Sequence, residues 1–183
     1  LFLTDFDIGS IYFLMVSVIP IFFVGLAEDL GYLMSPFKRF MASITSGALV
    51  VWYFGVWVHH VGIPILDYLL AFGLFGVIFT IFAASGVVNA FNLIDGLNGL
   101  ASFTGISTAI ALSYVAFEVN QIEVLRFLFI FSACILGFML LNFPAGIIFL
   151  GDAGAYTIGH LLVWSAIILV SNSSEVSPFA ILL

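Results

Sequence analysis

The sequence predicts an all-α, polytopic membrane protein, and three observations lead to that prediction. Of its 183 residues, 64% are hydrophobic and 7% are charged, whereas a soluble domain is about half apolar and about one quarter charged. The mean hydropathy is +1.33, which makes lipid the main solvent of the chain. Six apolar runs approach the roughly 20 residues that a helix needs to cross a bilayer, namely 8–26, 40–58, 68–88, 99–117, 124–141 and 153–171.

The same composition excludes several other classes of protein. The chain has 3 Lys and Arg residues against 10 Asp and Glu residues, so it lacks the basic surface that nucleic-acid binding requires. The apolar runs are continuous, whereas the strands of an outer-membrane barrel alternate over segments of about ten residues. The lone Cys134 excludes an intramolecular disulfide framework and a cysteine-based metal site.

Two irregular features are expected along this series of helices. Pro20 lies inside the first run and should kink it, because a proline frees a backbone carbonyl that neighbouring groups must satisfy. The segment 143–151 is apolar but too short to span, and it contains Pro144 and Gly146, which predicts a re-entrant or interfacial loop. Such a loop would place Asp152 beside the edge of the bilayer.

We interpret residues 1–183 as a single transmembrane catalytic domain that is truncated at both ends. The sequence begins with Leu1 rather than Met, and its last residues resemble the start of another apolar segment. Residues 1–7 carry two acids and no base, so no signal peptide is visible. The expectation is a fragment of a longer helical bundle.

Six crossings place the connecting segments alternately on the two sides of the membrane. Lys38 and Arg39 fall on one side, and Arg126 falls near the other. The positive-inside rule then makes the first side cytoplasmic. That side receives three connecting segments: 27–39, 89–98 and 142–152.

The cytoplasmic segments concentrate the polar chemistry of the chain. They carry four carboxylates and four amides, which are Glu28, Asp29, Asp95, Asp152, Asn89, Asn92, Asn98 and Asn142. Carboxylates at membrane depth are costly and usually mark function, and four that face one another would repel unless a divalent cation lay between them. Oxygen ligands without Cys or His suit Mg²⁺ or Mn²⁺, and Mg²⁺ commonly shares its ligands with substrate phosphates. The residues therefore predict a phosphate-transfer site at the cytoplasmic surface.

Structural roles are the alternative for each of these residues taken singly. Asp95 and Asp152 could be helix N-caps, and Asn142, followed by Pro144, could be a helix stop. Caps alone do not require acid-bearing junctions at three places on one face, which favours the site. His160, about two turns beyond Asp152, is expected to be buried and hydrogen-bonded rather than part of the site.

A non-catalytic transporter or channel subunit, or an inactive paralogue, is the alternative function. A transporter would carry ionisable residues at the bilayer midplane on broken helices. Here the acids of the cytoplasmic segments lie at predicted helix ends, which favours the enzyme.

Three motifs in these segments resemble those of the polyprenyl-phosphate N-acetylhexosamine-1-phosphate transferases (glycosyltransferase family 4), and they stand in the order that the family has. They are the acidic pair Glu28-Asp29, then NAFNLIDGLNGL over 89–100, then NFPA over 142–145 followed by FLGDAG over 149–154. The resemblance covers about 25–159. Two positions depart from the family pattern, because Glu28 replaces an Asp and Asn98 stands where many members have Asp. A histidine motif of a later cytoplasmic loop is absent, which fits truncation.

The resemblance implies transfer of an N-acetylhexosamine-1-phosphate from a UDP-amino sugar to undecaprenyl (polyprenyl) phosphate, with release of UMP, in the synthesis of cell-envelope polysaccharide or peptidoglycan precursors. It implies an integral protein of the bacterial inner membrane with its active site on the cytoplasmic face. It also implies Mg²⁺ as the cofactor, with Mn²⁺ as a substitute. Formation of a homodimer is left open.

By position, the resemblance assigns roles to individual residues. Asp152 matches the metal ligand, and Asp95 matches a polar contact for the nucleotide or for catalysis. Glu28 and Asp29 match the acidic pair, and we expect Asp29 to position the lipid phosphate for direct attack rather than to act as nucleophile. The substrate-binding positions are matched by Asn92 and Asn142 at the nucleotide, Asn98 near the uracil, Phe149 stacking on the uracil and Arg39 on a phosphate.

Overall fold

The computed structural model describes residues 7–173 and residue 176, and every regular element among them is an α-helix. The helices are α1 (Ile8–Ser17), α2 (Ile19–Asp29), α3 (Pro36–Phe54), α4 (Pro64–Leu70), α5 (Gly73–Ile94), α6 (Leu100–Glu118), α7 (Ile122–Asn142) and α8 (Gly151–Asn172). The all-α fold class is confirmed.

Five helical segments of the described chain are long and apolar enough to cross a membrane: Ile8–Asp29, Gly73–Ile94, Leu100–Glu118, Ile122–Asn142 and Gly151–Ser171. The polytopic architecture is thus confirmed, with five such segments where six were expected. The remaining run, 40–58, corresponds to α3, which ends earlier, at Phe54. Helix α3 is 19 residues long, but its first turn includes Lys38 and Arg39, and these charges lower its hydropathy.

The first span is broken at Val18, two residues before the proline that was expected to kink it. Pro20 occupies the first turn of α2, where the missing N–H of a proline is not needed by the helix. The N–H of Ile21 finds a partner outside its own helix, because it donates to Ser46 Oγ of α3 at 3.2 Å. The break is therefore supported by a neighbouring helix, as membrane-embedded backbone requires.

The bounds predicted for the third run, 68–88, were wrong. Helix α4 ends at Leu70, and α5 begins at Gly73 and continues to Ile94. Because residues on both sides of this break are apolar, the hydropathy pattern carries no signal for it. A side-chain methyl at Gly76 would lie 2.8 Å from the Trp57 ring, so α5 packs closely against the segment that precedes α4.

Helix α8 lies at the centre of the bundle. In its span 78% of the residues are buried, against 22% in that of α7, and it packs against α2, α5 and α6. Two glycines allow close approach to it: a Cβ at Gly47 would lie 2.8 Å from the Trp164 ring, and a Cβ at Gly159 would lie 2.8 Å from Phe91 Cβ. Small residues at helix contacts are typical of packing in membranes.

This packing brings the three motifs to one end of the bundle. The contacts of Asp29 and Asn92 with α8 place the ends of α2 and α5 beside the start of α8. The contact of Asn142 with Gly99 places the end of α7 beside the start of α6. Residues 143–150 form a short non-helical segment between α7 and α8.

Candidate active site

The first turn of α8 is capped by a carboxylate from another helix. Asp29, the last residue of α2, accepts hydrogen bonds from the backbone N–H of Asp152 at 2.8 Å and of Ala153 at 3.0 Å. The first N–H groups of a helix have no partner within it, and a negative charge there is favoured by the helix dipole. Asp152 is therefore not an N-cap itself, because Asp29 of α2 caps the first N–H groups of α8.

Two glycines make this approach of α2 to α8 close. A Cβ at Gly25 would lie 2.6 Å from the backbone nitrogen of Ala153, and a Cβ at Gly151 would lie 2.7 Å from an Asp29 carboxylate oxygen. Gly151 also has a φ of 70°, a conformation that favours glycine. The sequence around both acids is therefore suited to backbone contact between the two motifs.

The second motif reaches the same carboxylate. Asn92, in the last turn of α5, donates from Nδ2 to Asp152 Oδ1 at 2.7 Å. Asp152 is thereby oriented from two sides, by Asn92 on its side chain and by Asp29 on its backbone. Residues from three separate stretches of the chain meet at Asp152.

Glu28 and Arg39 form an ion pair at the edge of this cluster. One guanidinium nitrogen of Arg39 lies 3.1 Å and 3.2 Å from the two carboxylate oxygens of Glu28. Both side chains are partly exposed, at 24% and 28%. Glu28 also faces Asp152, so its carboxylate interacts with both the guanidinium and the Asp152 side chain.

Asp95 follows the last turn of α5 and is half-buried. It ends α5, with its N–H directed to Asn92 O at 3.3 Å, and Gly99 rather than Asp95 precedes α6. Burial, and then the negative charges of Asp152 and Asp29, raise the pKa of Asp95 to about 6. Crowded carboxylates of this kind are typical of sites that bind cations or transfer protons.

The side chain of Asn142 hydrogen-bonds to the backbone of two neighbouring segments. It is buried, its Oδ1 accepts from the N–H of Gly99 at 2.6 Å, and its Nδ2 donates to the carbonyl of Ile148 at 2.8 Å. Asn142 is also the last residue of α7. It joins the start of α6 to the segment 143–150, and its amide atoms face backbone rather than open space.

Asn98 and Phe149 lie at the exposed side of the site. Asn98 Nδ2 lies 3.5 Å from the carbonyl oxygen of Pro144, and a Cβ at Gly146 would lie 2.6 Å from the same nitrogen. Phe149 is 77% exposed, so its ring is free to receive a stacking partner. Phe149 belongs to the segment 143–150, and Asn98 lies beside that segment.

Tyr156 is the residue of this cluster that the sequence analysis missed. Its ring is buried, and its hydroxyl faces Arg39, Asp152 and Glu28. The signal was available, because residues four apart share one face of a helix and Tyr156 lies four residues after Asp152. Asn89, by contrast, donates to Ser43 Oγ and to the carbonyl of Ser85, which ties α5 to α3.

The carboxylates of this cluster fit Mg²⁺ only if the substrate supplies further ligands. In the ranges described, no three Asp, Glu, His or Cys side chains are arranged to hold a metal ion. Mg²⁺ needs only one or two carboxylates when phosphates and water supply the other oxygens. Asp152, with Glu28 facing it, fits a site of that kind.

Comparison with known proteins identifies the family. The model of "Glycosyl transferase family 4" matches residues 11–170. A phospho-N-acetylmuramoyl-pentapeptide-transferase of Clostridium perfringens is 32% identical over 159 residues, which are 80% of this chain and 49% of that protein. The enzyme of the same name from Streptococcus mutans is 36% identical over 93 residues, 51% of this chain and 27% of its own.

A third relative with this name, from Listeria welshimeri, is 33% identical over 124 residues, 67% of this chain and 38% of its own length. The chain thus spans about half the length, or less, of these curated relatives. The family match covers most of the chain and all three motifs that meet at Asp152. The chain belongs to glycosyl transferase family 4, the polyprenyl-phosphate hexosamine-1-phosphate transferase superfamily, and it is an integral membrane protein.

Proposed function

We propose that the protein containing this chain transfers an N-acetylhexosamine-1-phosphate from a UDP-amino sugar to a polyprenyl phosphate and releases UMP. The observation that carries the proposal is the meeting of three motifs at one carboxylate, since Asp29 holds the backbone of Asp152 and Asn92 holds its side chain. The names of the relatives support the same reaction class.

A divalent cation, Mg²⁺ or Mn²⁺, is part of this proposal. Asp152 would hold it, with Glu28 as a second carboxylate that faces Asp152. When bound, the cation supplies charge neutralisation for the donor diphosphate and for the departing nucleotide. The remaining ligands would be phosphate oxygens and water.

The reaction proposed is a direct displacement at phosphorus. An oxygen of the lipid phosphate forms a bond to the phosphorus that carries the sugar, and the bond from that phosphorus to the bridging oxygen breaks. UMP leaves with the bridging oxygen and its electron pair, so the products are UMP and a polyprenyl-diphosphate sugar. A phosphate monoester is largely ionised at neutral pH, with a second pKa of about 6, so little help from a base is needed.

The contacts of Asp29 favour a positioning role over nucleophilic attack. Both of its carboxylate oxygens accept backbone N–H groups of α8. A carboxylate held in this way has one lone pair of each oxygen engaged and its charge partly compensated by the helix. We therefore assign Asp29 to the placement of Asp152 and of the incoming phosphate.

Arg39 is the cationic group that we assign to a substrate phosphate. In the structure it is paired with Glu28, and a phosphate would compete with Glu28 for the guanidinium. Release of Glu28 would in turn return a carboxylate to the site. This exchange would let the site adjust its charge when the anionic substrates bind.

The nucleotide side is proposed to be the exposed border formed by Asn98, Phe149 and the segment 143–150. Asn92 and Asn142 keep their proposed place at the nucleotide site, although the structure directs the amide of Asn142 to backbone groups. Asp95 is proposed as a further polar contact for the nucleotide.

The lipid substrate also needs an apolar binding region. A cavity of about 400 Å³ lies between α5, α6 and α8, and it extends from Phe91, next to Asn92, to Val58 and Val170. Its walls suit an isoprenoid chain. We propose the cytoplasmic face because Lys38 and Arg39 lie on that side of the chain, and the bacterial inner membrane because of the family resemblance. A homodimer stays a prediction.

Transport is the competing function, and the positions of the acids argue against it. Glu28 and Asp29 end α2, Asp95 ends α5, and Asp152 begins α8. None of the four lies in the middle of a membrane-spanning helix. A substrate path through the bilayer would need ionisable groups at the midplane.

The experiment is an assay of UMP release by the full-length protein with UDP-N-acetylglucosamine or another UDP-amino sugar, polyprenyl phosphate and Mg²⁺. We expect release that requires all three components. The control is the Glu123→Ala variant, which alters an exposed pair with Arg126 at the opposite end of α7. Failure to release UMP with any UDP-amino sugar would contradict the proposal.

A further inference from the structure

A buried polar contact joins the first membrane span to α8 well away from the candidate active site. Ser17 Oγ lies 2.9 Å from Nε2 of His160, and both residues are 0% exposed. Polar and ionisable groups within a membrane span are costly and are seldom kept without a purpose. The chemistry proposed above makes no use of either side chain.

The hydrogen-bond directions of this contact can be assigned. Ser17 Oγ also lies 2.7 Å from the carbonyl oxygen of Leu14, which can only accept. The single hydroxyl proton therefore goes to Leu14, and Nε2–H of His160 donates to Ser17. Among the residues that the structure describes, Nδ1 of the same ring has no hydrogen-bond partner, so Ser17 is the polar anchor of the imidazole.

Ser17 stands at the break in the first span. It is the last residue of α1, and α2 begins two residues later. A broken helix has freedom that a continuous one lacks, because the two halves can change their angle and register. The contact with His160 fixes the start of α2 to α8 at this point.

The other end of α2 is fixed to the same helix. Asp29 accepts the N–H groups of Asp152 and Ala153, and Gly25 packs on Ala153 between the two anchors. On α8 the anchors lie eight residues apart, which is about 12 Å along a helix. Helix α2 is thus held by α8 at both ends, once inside the membrane and once at the site.

We propose that Ser17 and His160 are positioning residues, which set the register of α2 on α8 so that Asp29 meets the first turn of that helix. Loss of the inner anchor lets α2 shift or rotate, and the cap on Asp152 and Ala153 then opens more often. The effect on cation binding rests on the proposed function, whereas the effect on the cap does not.

The test is hydrogen exchange in the full-length protein, read at the backbone N–H groups of Asp152 and Ala153. We expect the His160→Met variant, which keeps an apolar volume without the donor, to exchange there about three- to tenfold faster, the effect of one hydrogen bond between membrane helices. The His160→Gln variant retains an N–H donor near the position of Nε2 and should restore slow exchange. If the His160→Met variant folds poorly, Ser17→Ala takes its place and should show the same faster exchange.

The matched control is Ser113→Ala. Ser113 is also buried, but its hydroxyl donates only to Ala109 within its own helix, so this variant should leave exchange at Asp152 and Ala153 unchanged. Faster exchange throughout α6 and α7 would indicate general destabilisation and would overturn the positioning role. Unchanged exchange at Asp152 and Ala153 in His160→Met would also overturn that role. Fast exchange there in His160→Gln would do the same.

A second readout is the affinity for Mn²⁺, measured by electron paramagnetic resonance in the absence of substrate. We expect His160→Met and Ser17→Ala to weaken binding about three- to tenfold, and His160→Gln to bind as the wild type does. If the wild type itself binds no Mn²⁺, the proposed function fails, and the exchange experiment still decides the inference. Equal affinity in all variants, with the wild type binding, would overturn its extension to the cation site.

Discussion

The carboxylate of Asp29 lies 2.8 Å from the backbone nitrogen of Asp152, although 123 residues separate them in the chain. This contact makes the acidic pair of α2 part of the local structure of α8. A change at Asp29 therefore acts on Asp152 through the backbone, and the two residues should be tested together.

Substitution of Asp29 should distinguish a cap from a nucleophile. Asp29→Asn keeps one oxygen acceptor for the N–H groups of α8, so we expect it to retain measurable transfer. Asp29→Ala removes the cap, should cost about 1 kcal/mol of stability and should be much less active. The measurements are UMP release and thermal unfolding in detergent. Equal and complete inactivity of both variants, or a trapped phospho-aspartyl group on Asp29, would contradict the cap assignment.

Substitution of Asp152 tests the cation site directly. Asp152→Ala should abolish transfer and Mn²⁺ binding while the protein is still inserted in the membrane, because the backbone N–H that Asp29 accepts remains. The comparison is Glu123→Ala, at a distant and exposed ion pair, which should bind Mn²⁺ normally. Retained transfer in Asp152→Ala would refute the metal assignment.

The raised pKa of Asp95 predicts a dependence of stability on pH. Since its pKa is about 6 in the folded protein and its ordinary value is 3.8, folding favours the protonated form. This contribution is present below pH 4 and is lost as the pH rises through about 6. With a chelator present, Asp95→Asn should therefore raise the melting temperature relative to the wild type at pH 7.5, and the difference should vanish near pH 4. An equal difference at both pH values would show that the carboxyl charge is not the cause.

A cation should reverse this effect, because positive charge near Asp95 favours its ionised form. Titration of the wild type with Mg²⁺ at pH 6 should release protons, and titration at pH 8 should release fewer. Asp95→Asn provides the control, since it has no proton to release at that position. Proton release that persists undiminished in Asp95→Asn would assign the effect to another group.

Asn98 offers a test of the nucleotide side. Asn98→Asp restores the residue that many family members have, but it removes the donor that lies 3.5 Å from the Pro144 carbonyl. We expect the KM for the UDP-amino sugar to change more than the Mg²⁺ concentration required for half-maximal rate. A larger change in the Mg²⁺ requirement would count against a role in uracil binding.

The close approach of α2 and α8 predicts opposite effects at two glycines. At Gly25 a Cβ would lie 2.6 Å from the Ala153 nitrogen, whereas at Gly137 there is nothing within 4 Å. Gly25→Ala should therefore destabilise the protein by about 1–3 kcal/mol. Gly137→Ala should be neutral or stabilising by up to about 1 kcal/mol. Thermal unfolding in detergent measures both, and a neutral Gly25→Ala would show that the interface is looser than the structure indicates.

The sequence predicted the helical spans well, because long apolar runs have few other solutions in a membrane. It did not predict the break between α4 and α5, since Leu70, Phe72 and Leu74 are apolar on both sides and the break is set by packing. A kink near Pro20 was predicted correctly, because the effect of a proline on a helix is local.

Some features of the candidate site could likewise be predicted from the sequence, and others could not. The meeting of Asp29, Asn92 and Asp152 followed from their motifs lying on one side of the membrane. The cap that Asp29 provides could not be read from the chain, because it depends on a backbone contact between distant segments. The end of α7 at Asn142 was an alternative that the sequence offered, but the contacts of this amide with Gly99 and Ile148 could not be predicted. Tyr156 could have been found from its spacing to Asp152.

The hydrogen bonds of Asn142 have a consequence for the segment 143–150. This segment is shaped by amide and backbone contacts at Gly99 and Ile148, while Ile147 and Phe149 stay 69% and 77% exposed. Its conformation is therefore held by hydrogen bonds within the protein. The wall beside Asp152 should accordingly keep its shape in bilayers of different thickness and composition, and in detergent.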